Sequence, residues 1–248
     1  MPVTIDISGS TAVLTLDNPE RHNALTREMF TAMSGALDKI ESEHHGRLLR
    51  IRGSGPSFCS GFDLDECRSD ETALEHFLTE LSRVARRLRR MRRIVVAEVQ
   101  GRALAGGCAL LTACDVVCAS RDARIGYPVH RIGLSPAVSI PTLVNCIGYG
   151  HATDLMLSGS IVDGVHAHRI GLVHLLADSG DELGTMVDRT CVSLEGKGEE
   201  ALMKTKDWMN MIDGSDEDAP FDETLAASVG TGRSEEAARL LASVGTRK

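Results

Sequence analysis

The sequence predicts an α/β fold: strands alternate with helices over residues 1–190, and a helical C-terminal region follows over 191–248. Three observations carry this. The N-terminal stretch holds two short segments in which apolar side chains alternate, separated by Ser8-Gly9-Ser10. Two apolar runs of strand character, 48–51 and 94–99, each follow a segment with helical three-and-four spacing. Beyond about Pro136 the strand pattern fades and short helical patterns replace it.

The elements follow in order. Residues 3–7 and 11–16 alternate as a pair of strands, ended by Asn18-Pro19-Glu20. Met29, Met33, Ala36, Leu37 and Ile40 fall on one helix face. A buried strand at 48–51 is closed by Gly53-Ser54-Gly55-Pro56, and a loop is expected over 57–69. Leu74, Phe77, Leu78, Leu81, Ala85, Leu88 and Met91 mark a long helix, and 94–99 a strand of a third layer. Gly101 opens a glycine-containing turn, Gly106-Gly107 leads into an apolar helix at 108–113, and 115–119 and 123–126 read as short strands. Helices are expected at 139–147, 150–157, 163–170, 180–194, 199–212 and 234–242. Strand–strand–helix units recur, although no sequence repeat of fixed period is visible.

Composition narrows the class. With 42% hydrophobic and 25% charged residues the chain is that of an ordinary globular protein, which excludes disordered and collagen-like classes. A net charge of −8 argues against a protein built to hold nucleic acid or an anionic membrane surface. No run approaches the roughly 18 apolar residues that span a bilayer, and residues 1–7 lack the pattern of a secretory leader. Seven cysteines, odd in number and without a C-x-x-C pair, point to free thiols in a reducing cytoplasm rather than to disulfides or zinc.

Two loops carry the chemistry. One is Ser57-Phe58-Cys59-Ser60-Gly61-Phe62-Asp63-Leu64; the other is Gly101-Arg102-Ala103-Leu104-Ala105-Gly106-Gly107-Cys108. Both place glycine and small residues where backbone must turn tightly or approach something closely. An N–H from each could converge on one oxygen that becomes negative during reaction. Taken alone, each loop also fits a tight turn without a ligand.

Together the segments resemble a family. Asn18-Pro19-Glu20-Arg21-His22-Asn23-Ala24-Leu25 resembles the N-P-x-x-x-N-A-L opening of the crotonase (enoyl-CoA hydratase/isomerase) superfamily. The first loop resembles its F-x-x-G-x-D-L segment, and residues 101–115 its G-x-A-x-G-G-G-x-x-L-x-x-x-C-D block. Residues 126–136, Leu157-Ser158-Gly159 and 167–173 resemble later blocks in the expected order. Ser234-Glu235-Glu236-Ala237 resembles the C-terminal S-x-E-A signature. The resemblance implies a spiral of ββα units with a helical trimerisation region, and a homotrimer or a dimer of trimers. It also implies an acyl-CoA ligand and the activity of a lyase or isomerase of fatty acid metabolism. Coenzyme A enters as part of the substrate, and no other cofactor is expected. The oxyanion hole would be built from the amides of Phe62 and Gly106.

The sequence departs from the family where its hydratases carry two glutamates: those positions are Ala109 and Val129, neither of which can carry a proton. Gly133-Leu134-Ser135-Pro136-Ala137 resembles methylglutaconyl-CoA hydratase-like members. His130, with an ordinary pKa near 6.5, and Tyr127, as a hydrogen-bond donor or a packing residue, are the candidate replacements. By family position, Arg21, His22, Ser60, Gly61, Asp63 and Gly107 would line the substrate, although capping its loop is the better reading of Asp63. The terminal aromatic that packs near adenine in the family has no counterpart before Lys248. A non-catalytic acyl-CoA-binding paralogue is the alternative. Arg83, Arg86, Arg87, Arg89, Arg90, Arg92 and Arg93 crowd one helix and its exit; a solvated, ion-paired face, coenzyme A phosphates or RNA could each account for them. The absence of interleaved aromatic residues argues against RNA.

Overall fold

The computed structural model describes residues 1–7 and 9–243; Ser8 of the expected turn and residues 244–248 lie outside the described residues. The elements are β1 Val3–Asp6, β2 Thr11–Leu16, α1 Arg27–Glu43, β3 Leu48–Gly53, α2 Leu64–Ser69, α3 Ala73–Arg90, β4 Ile94–Val99, β5 Arg102–Leu104, α4 Gly106–Thr112, β6 Val116–Ser120 and β7 Arg124–Gly126. They continue with α5 Ile140–Ser158, β8 Ile161–Asp163, α6 Gly164–Arg169, β9 Leu175–Ala177, α7 Gly180–Glu195, α8 Glu199–Asp213, α9 Ala219–Gly232 and α10 Glu235–Ser243.

Two sheets form. The larger has the order β1-β2-β3-β4-β6-β9, the smaller β5-β7-β8. Apart from the antiparallel β1–β2 pair, every pairing in the larger sheet is parallel. The ββα recurrence has a simple geometry. In each unit the first strand (β4, β6) joins the large sheet and the second (β5, β7) joins the small one, before the chain turns into α4 or α5.

The central strands of the large sheet are buried on both faces, which suits a parallel sheet covered by helices. Leu49, Ile51, Val95, Ala97 and Val117 face the main core with α1 and α3. Leu48, Val96 and Cys118 face a second cluster with Leu183, Val187 and Met203 from α7 and α8. Strand alternation thus feeds two cores at once. α1 begins where the Thr26 hydroxyl accepts from the Met29 amide at 3.0 Å, a standard N-cap. It buries Met29, Met33, Ala36, Leu37 and Ile40, the face expected from their spacing, and Phe30 beside them.

Several elements differ from expectation. The loop expected over 57–69 ends in α2, because Asp63 caps residues 64–69: its carboxylate accepts from Asp65 and Glu66 amides, both at 3.0 Å. β4 is a central strand of the large sheet, between β3 and β6, not a separate layer. β5, β8 and β9 were too short to show period-two alternation, and β8 and β9 break the expectation that strands end near Pro136. The helices expected at 139–147 and 150–157 form one element, broken at Gly148 (φ 71°, ψ 165°). α9 was missed: its run Thr224-Leu225-Ala226-Ala227-Ser228-Val229-Gly230 has no helical stripe of large residues, and only Phe221 and Ser228 are buried. Position 190 falls inside α7, which continues to Glu195.

Most of the crowded arginines are used within the chain. Arg87 pairs with Glu41 of α1 at 2.8 Å, and Arg89 with Asp213 at 2.6 Å. Arg90 and Arg86 pair with Asp218 and Asp222 at 2.7 and 2.8 Å, and lie 5.7 and 5.9 Å from the Phe221 ring centroid. The charged face of α3 is therefore the dock for α8 and α9.

Candidate active site

The two loops meet because they continue adjacent parallel segments. Cys59 pairs with Ala103 of β5 as an isolated parallel bridge. The Cys59 amide donates to the Arg102 carbonyl at 2.9 Å, and the Leu104 amide donates to the Cys59 carbonyl at 3.0 Å. Phe62 and Gly106 each stand three residues beyond that register pair, so parallel pairing delivers them side by side. A Cβ on Gly106 would lie 3.2 Å from the Phe62 ring, and one on Gly61 (φ 97°) would lie 3.6 Å from the Gly106 nitrogen. Neither the Phe62 nor the Gly106 amide donates to any protein acceptor among the described residues. Gly106 is the first residue of α4, so its N–H has no intrahelical acceptor. The preceding Ala105 adopts φ 50°, ψ −112°, a strained conformation for a residue with a side chain.

Each loop is held from behind. Asn23, fully buried and left-handed (φ 55°), accepts from the Asn18 amide at 2.8 Å and donates to the Ser57 carbonyl at 2.8 Å and the Ser54 carbonyl at 3.0 Å. Sequence reasoning left Asn23 as a motif letter. Its signal was chemical: asparagine tolerates the left-handed region and offers both a donor and an acceptor. The Phe62 ring joins Phe30 and Phe77 in a triangular cluster, at centroid distances of 6.3 and 5.4 Å. Gly107 packs against the Cys59 carbonyl, which a Cβ would approach to 2.4 Å.

Phe62 and Gly106 open onto a cavity of about 150 Å³. Its walls come from α2 and α3 (Leu64, Leu78, Leu81), from Leu104 and Ala105, and from residues 127–139. Tyr127, Val129 and Ser60 are also on the wall. Tyr127 is fully buried; its hydroxyl lies beside Cys108, Thr112 and Ser139 but completes a hydrogen bond with none of them. Burial, then the neighbouring Cys108, pushes its pKa well above the ordinary tyrosine value, so it stays protonated. No carboxylate, imidazole, lysine or arginine lines this cavity.

The other expected site residues lie elsewhere. His130 is exposed and off the cavity wall, its ring near Gly159. Arg21 is paired with Asp63 at 3.0 Å and Asp65 at 2.5 Å, and the His22 Nδ1 sits 3.0 Å from the Ser57 hydroxyl. Neither lines the cavity, nor does Asp63, whose carboxylate caps α2. Ala109 is buried in α4 behind the wall. Leu78, Val138 and Ser139 lie in the 65–80 and 135–145 segments expected to shape the pocket, and with Leu134 they line the cavity; none is singled out by the sequence, because helical spacing alone makes Leu78 a core residue. The 133–139 wall is held by the unforeseen α9: the Ser228 hydroxyl accepts from the Val138 amide at 2.8 Å and donates to the Ser135 carbonyl at 3.1 Å. All seven cysteines are free, and burial raises the pKa of each; Cys59 and Cys108 beside the site reach about 12. No group of three or more potential ligands for a metal occurs among the described residues, and no helix there is long and apolar enough to cross a membrane.

Comparison with known proteins gives the same frame. The enoyl-CoA hydratase/isomerase family model matches residues 6–219. A Thermus thermophilus protein bearing the enoyl-CoA hydratase name is 36% identical over 179 residues, 71% of this chain and 71% of that protein. The short-chain-enoyl-CoA hydratase of Clostridium acetobutylicum is 30% identical over 186 residues, 74% of this chain and 71% of that protein. The crystal structure of an enoyl-CoA hydratase/isomerase from Xanthobacter autotrophicus Py2 superposes with a TM-score of 0.89 at 24% identity, covering 100% of this chain and 94% of that one. The fold is therefore the crotonase fold, and the chain belongs to the enoyl-CoA hydratase/isomerase family.

Proposed function

We propose that the chain binds an acyl-CoA with its thioester oxygen between the amides of Phe62 and Gly106, and stabilises the enolate formed when charge moves onto that oxygen. The observation that carries this reading is the pair of unengaged amides, brought together by parallel register at the mouth of an apolar cavity. Hydration by paired carboxylates has no support from a wall where Val129 stands and no acid or imidazole is present. We assign the role of hydrogen-bond or proton donor to Tyr127, whose unpartnered hydroxyl is held protonated beside Cys108, Thr112 and Ser139, in a reaction of an uncharged thioester such as double-bond isomerisation or hydrolysis.

Tyr127→Phe is expected to lower turnover by about 100-fold or more while changing acyl-CoA affinity only a few-fold. His130→Ala should leave turnover unchanged. No group on the wall titrates near neutrality, so the rate should be flat from about pH 6 to about pH 9. The measurement is steady-state kinetics on a thioester panel beside calorimetric binding. Full activity of Tyr127→Phe would remove it from the chemistry; absence of acyl-CoA binding would defeat the whole reading. The uncharged wall also favours a second reading, a thioester-binding paralogue without chemistry, which predicts binding without turnover on the same panel.

The assembly proposed is a homotrimer or a dimer of trimers in the cytoplasm, its contacts drawn from the exposed apolar residues Trp208, Met209, Met211 and Ile212 of α8. Sedimentation velocity reads the stoichiometry, and a monomer would exclude it.

A further inference from the structure

We infer that the acyl group accepted by this cavity is uncharged and short, about six carbons or fewer, and that Leu78 and Leu134 form the end wall that sets its length; this rests on the acyl-CoA reading above. Three observations carry it. First, the cavity measures about 150 Å³, the size of apolar void that takes a benzene-sized guest. Second, the wall beyond the two amides is largely hydrocarbon and carries no charge: Leu78, Leu81, Leu134 and Val138 are all buried, and no cationic side chain reaches it. A carboxylate on the acyl chain would lose its water there and gain no partner. This separates the chain from methylglutaconyl-CoA hydratase-like members, whose acyl group ends in a second, free carboxylate.

Third, Leu78 and Leu134 line two spaces at once. Behind them lies a separate groove of about 630 Å³ between α2, the start of α3 and the α9–α10 corner, with Leu74, Val229 and Leu241 on its floor. Its rim carries the Arg233–Glu75 ion pair at 2.7 Å. The end wall is fixed in place by close backbone packing: a Cβ on Gly133 would come within 2.7 Å of the Ala237 Cα in α10. Leu78 and Leu134 thus stand between cavity and groove on an anchored backbone, and shortening either is expected to join the two spaces.

The test is calorimetric titration of the intact chain with free CoA and with butyryl-, hexanoyl-, octanoyl-, dodecanoyl- and glutaryl-CoA. Leu78→Ala and Leu134→Ala are measured beside wild type, with Leu134→Val held ready in case truncation to alanine prevents folding. Wild type should bind best at or below hexanoyl, lose about tenfold by dodecanoyl, and bind glutaryl-CoA about 100-fold more weakly than butyryl-CoA. The alanine variants should recover most of the dodecanoyl loss. The inference is overturned by wild-type binding that is indifferent to chain length or to the distal carboxylate, or by variants that keep the wild-type length profile. If no acyl-CoA binds more tightly than CoA itself, the underlying acyl-CoA reading fails instead, so the two failures are distinguishable.

Discussion

Gly106→Val is expected to abolish most of the preference for an acyl thioester over free CoA, with a loss of about 100-fold or more in turnover or thioester affinity. A Cβ at this position already stands 2.9 Å from the Leu25 side chain and 3.2 Å from the Phe62 ring; valine adds two more carbons at that point. Phe30 and Phe77 pack against the ring at 6.3 and 5.4 Å and block its retreat on that side. The strain passes to the 61–62 backbone, and the two amides part. Overpacking of this kind costs about 1–3 kcal/mol, which for a chain this size is a melting shift of several degrees rather than loss of the fold. The check is calorimetry with butyryl-CoA and CoA on a variant whose circular dichroism matches wild type. Gly106→Ala should be intermediate. A folded valine variant that retains wild-type thioester preference would remove Phe62 and Gly106 from the site.

Lys206→Met should produce the largest loss of stability, about 3–5 kcal/mol, or roughly 10 °C in melting temperature. The Lys206 ammonium, 6% exposed, donates to the Arg93 carbonyl at 2.7 Å, the Leu88 carbonyl at 3.1 Å and the Asp115 carboxylate at 2.7 Å. The same Asp115 oxygen accepts from the Val95 amide at 2.7 Å. One lysine therefore ties α8 to the end of α3, the start of β4 and the turn before β6. Burial pulls its pKa below the ordinary lysine value, and Asp115 opposes that shift. Removing the ammonium leaves two carbonyls and a carboxylate short of a donor, which is why truncating one partner costs more than the pair is worth. Lys206→Met combined with Asp115→Asn should recover part of the loss in thermal unfolding. Wild-type stability in Lys206→Met would show the network to be idle.

How much was legible in the sequence depends on the range of the interaction. α1 and α3 were readable because their stripes repeat within a few residues, and each stripe is the buried face. β8 and β9 were not, since three-residue strands carry almost no periodicity and exist only because β7 and β6 offer them an edge. α9 hid for a related reason: its small residues fit closely beneath the 133–139 wall, and close packing of small side chains leaves no apolar stripe. Asp63 showed in the motif, but its role as the cap of α2 required knowing that a helix begins there.

The residues themselves determined the alternation of strands and helices, the two glycine-bearing loops and the family, because each is written in local spacing or in contiguous motifs. Only the tertiary structure decided that Phe62 and Gly106 share one opening, that His130 faces away from it, and that the wall beyond is largely hydrocarbon with Tyr127 its one titratable group. Those facts follow from strand register and from helices packed across long stretches of chain, and a change of register by one residue would turn the same side chains to the opposite face.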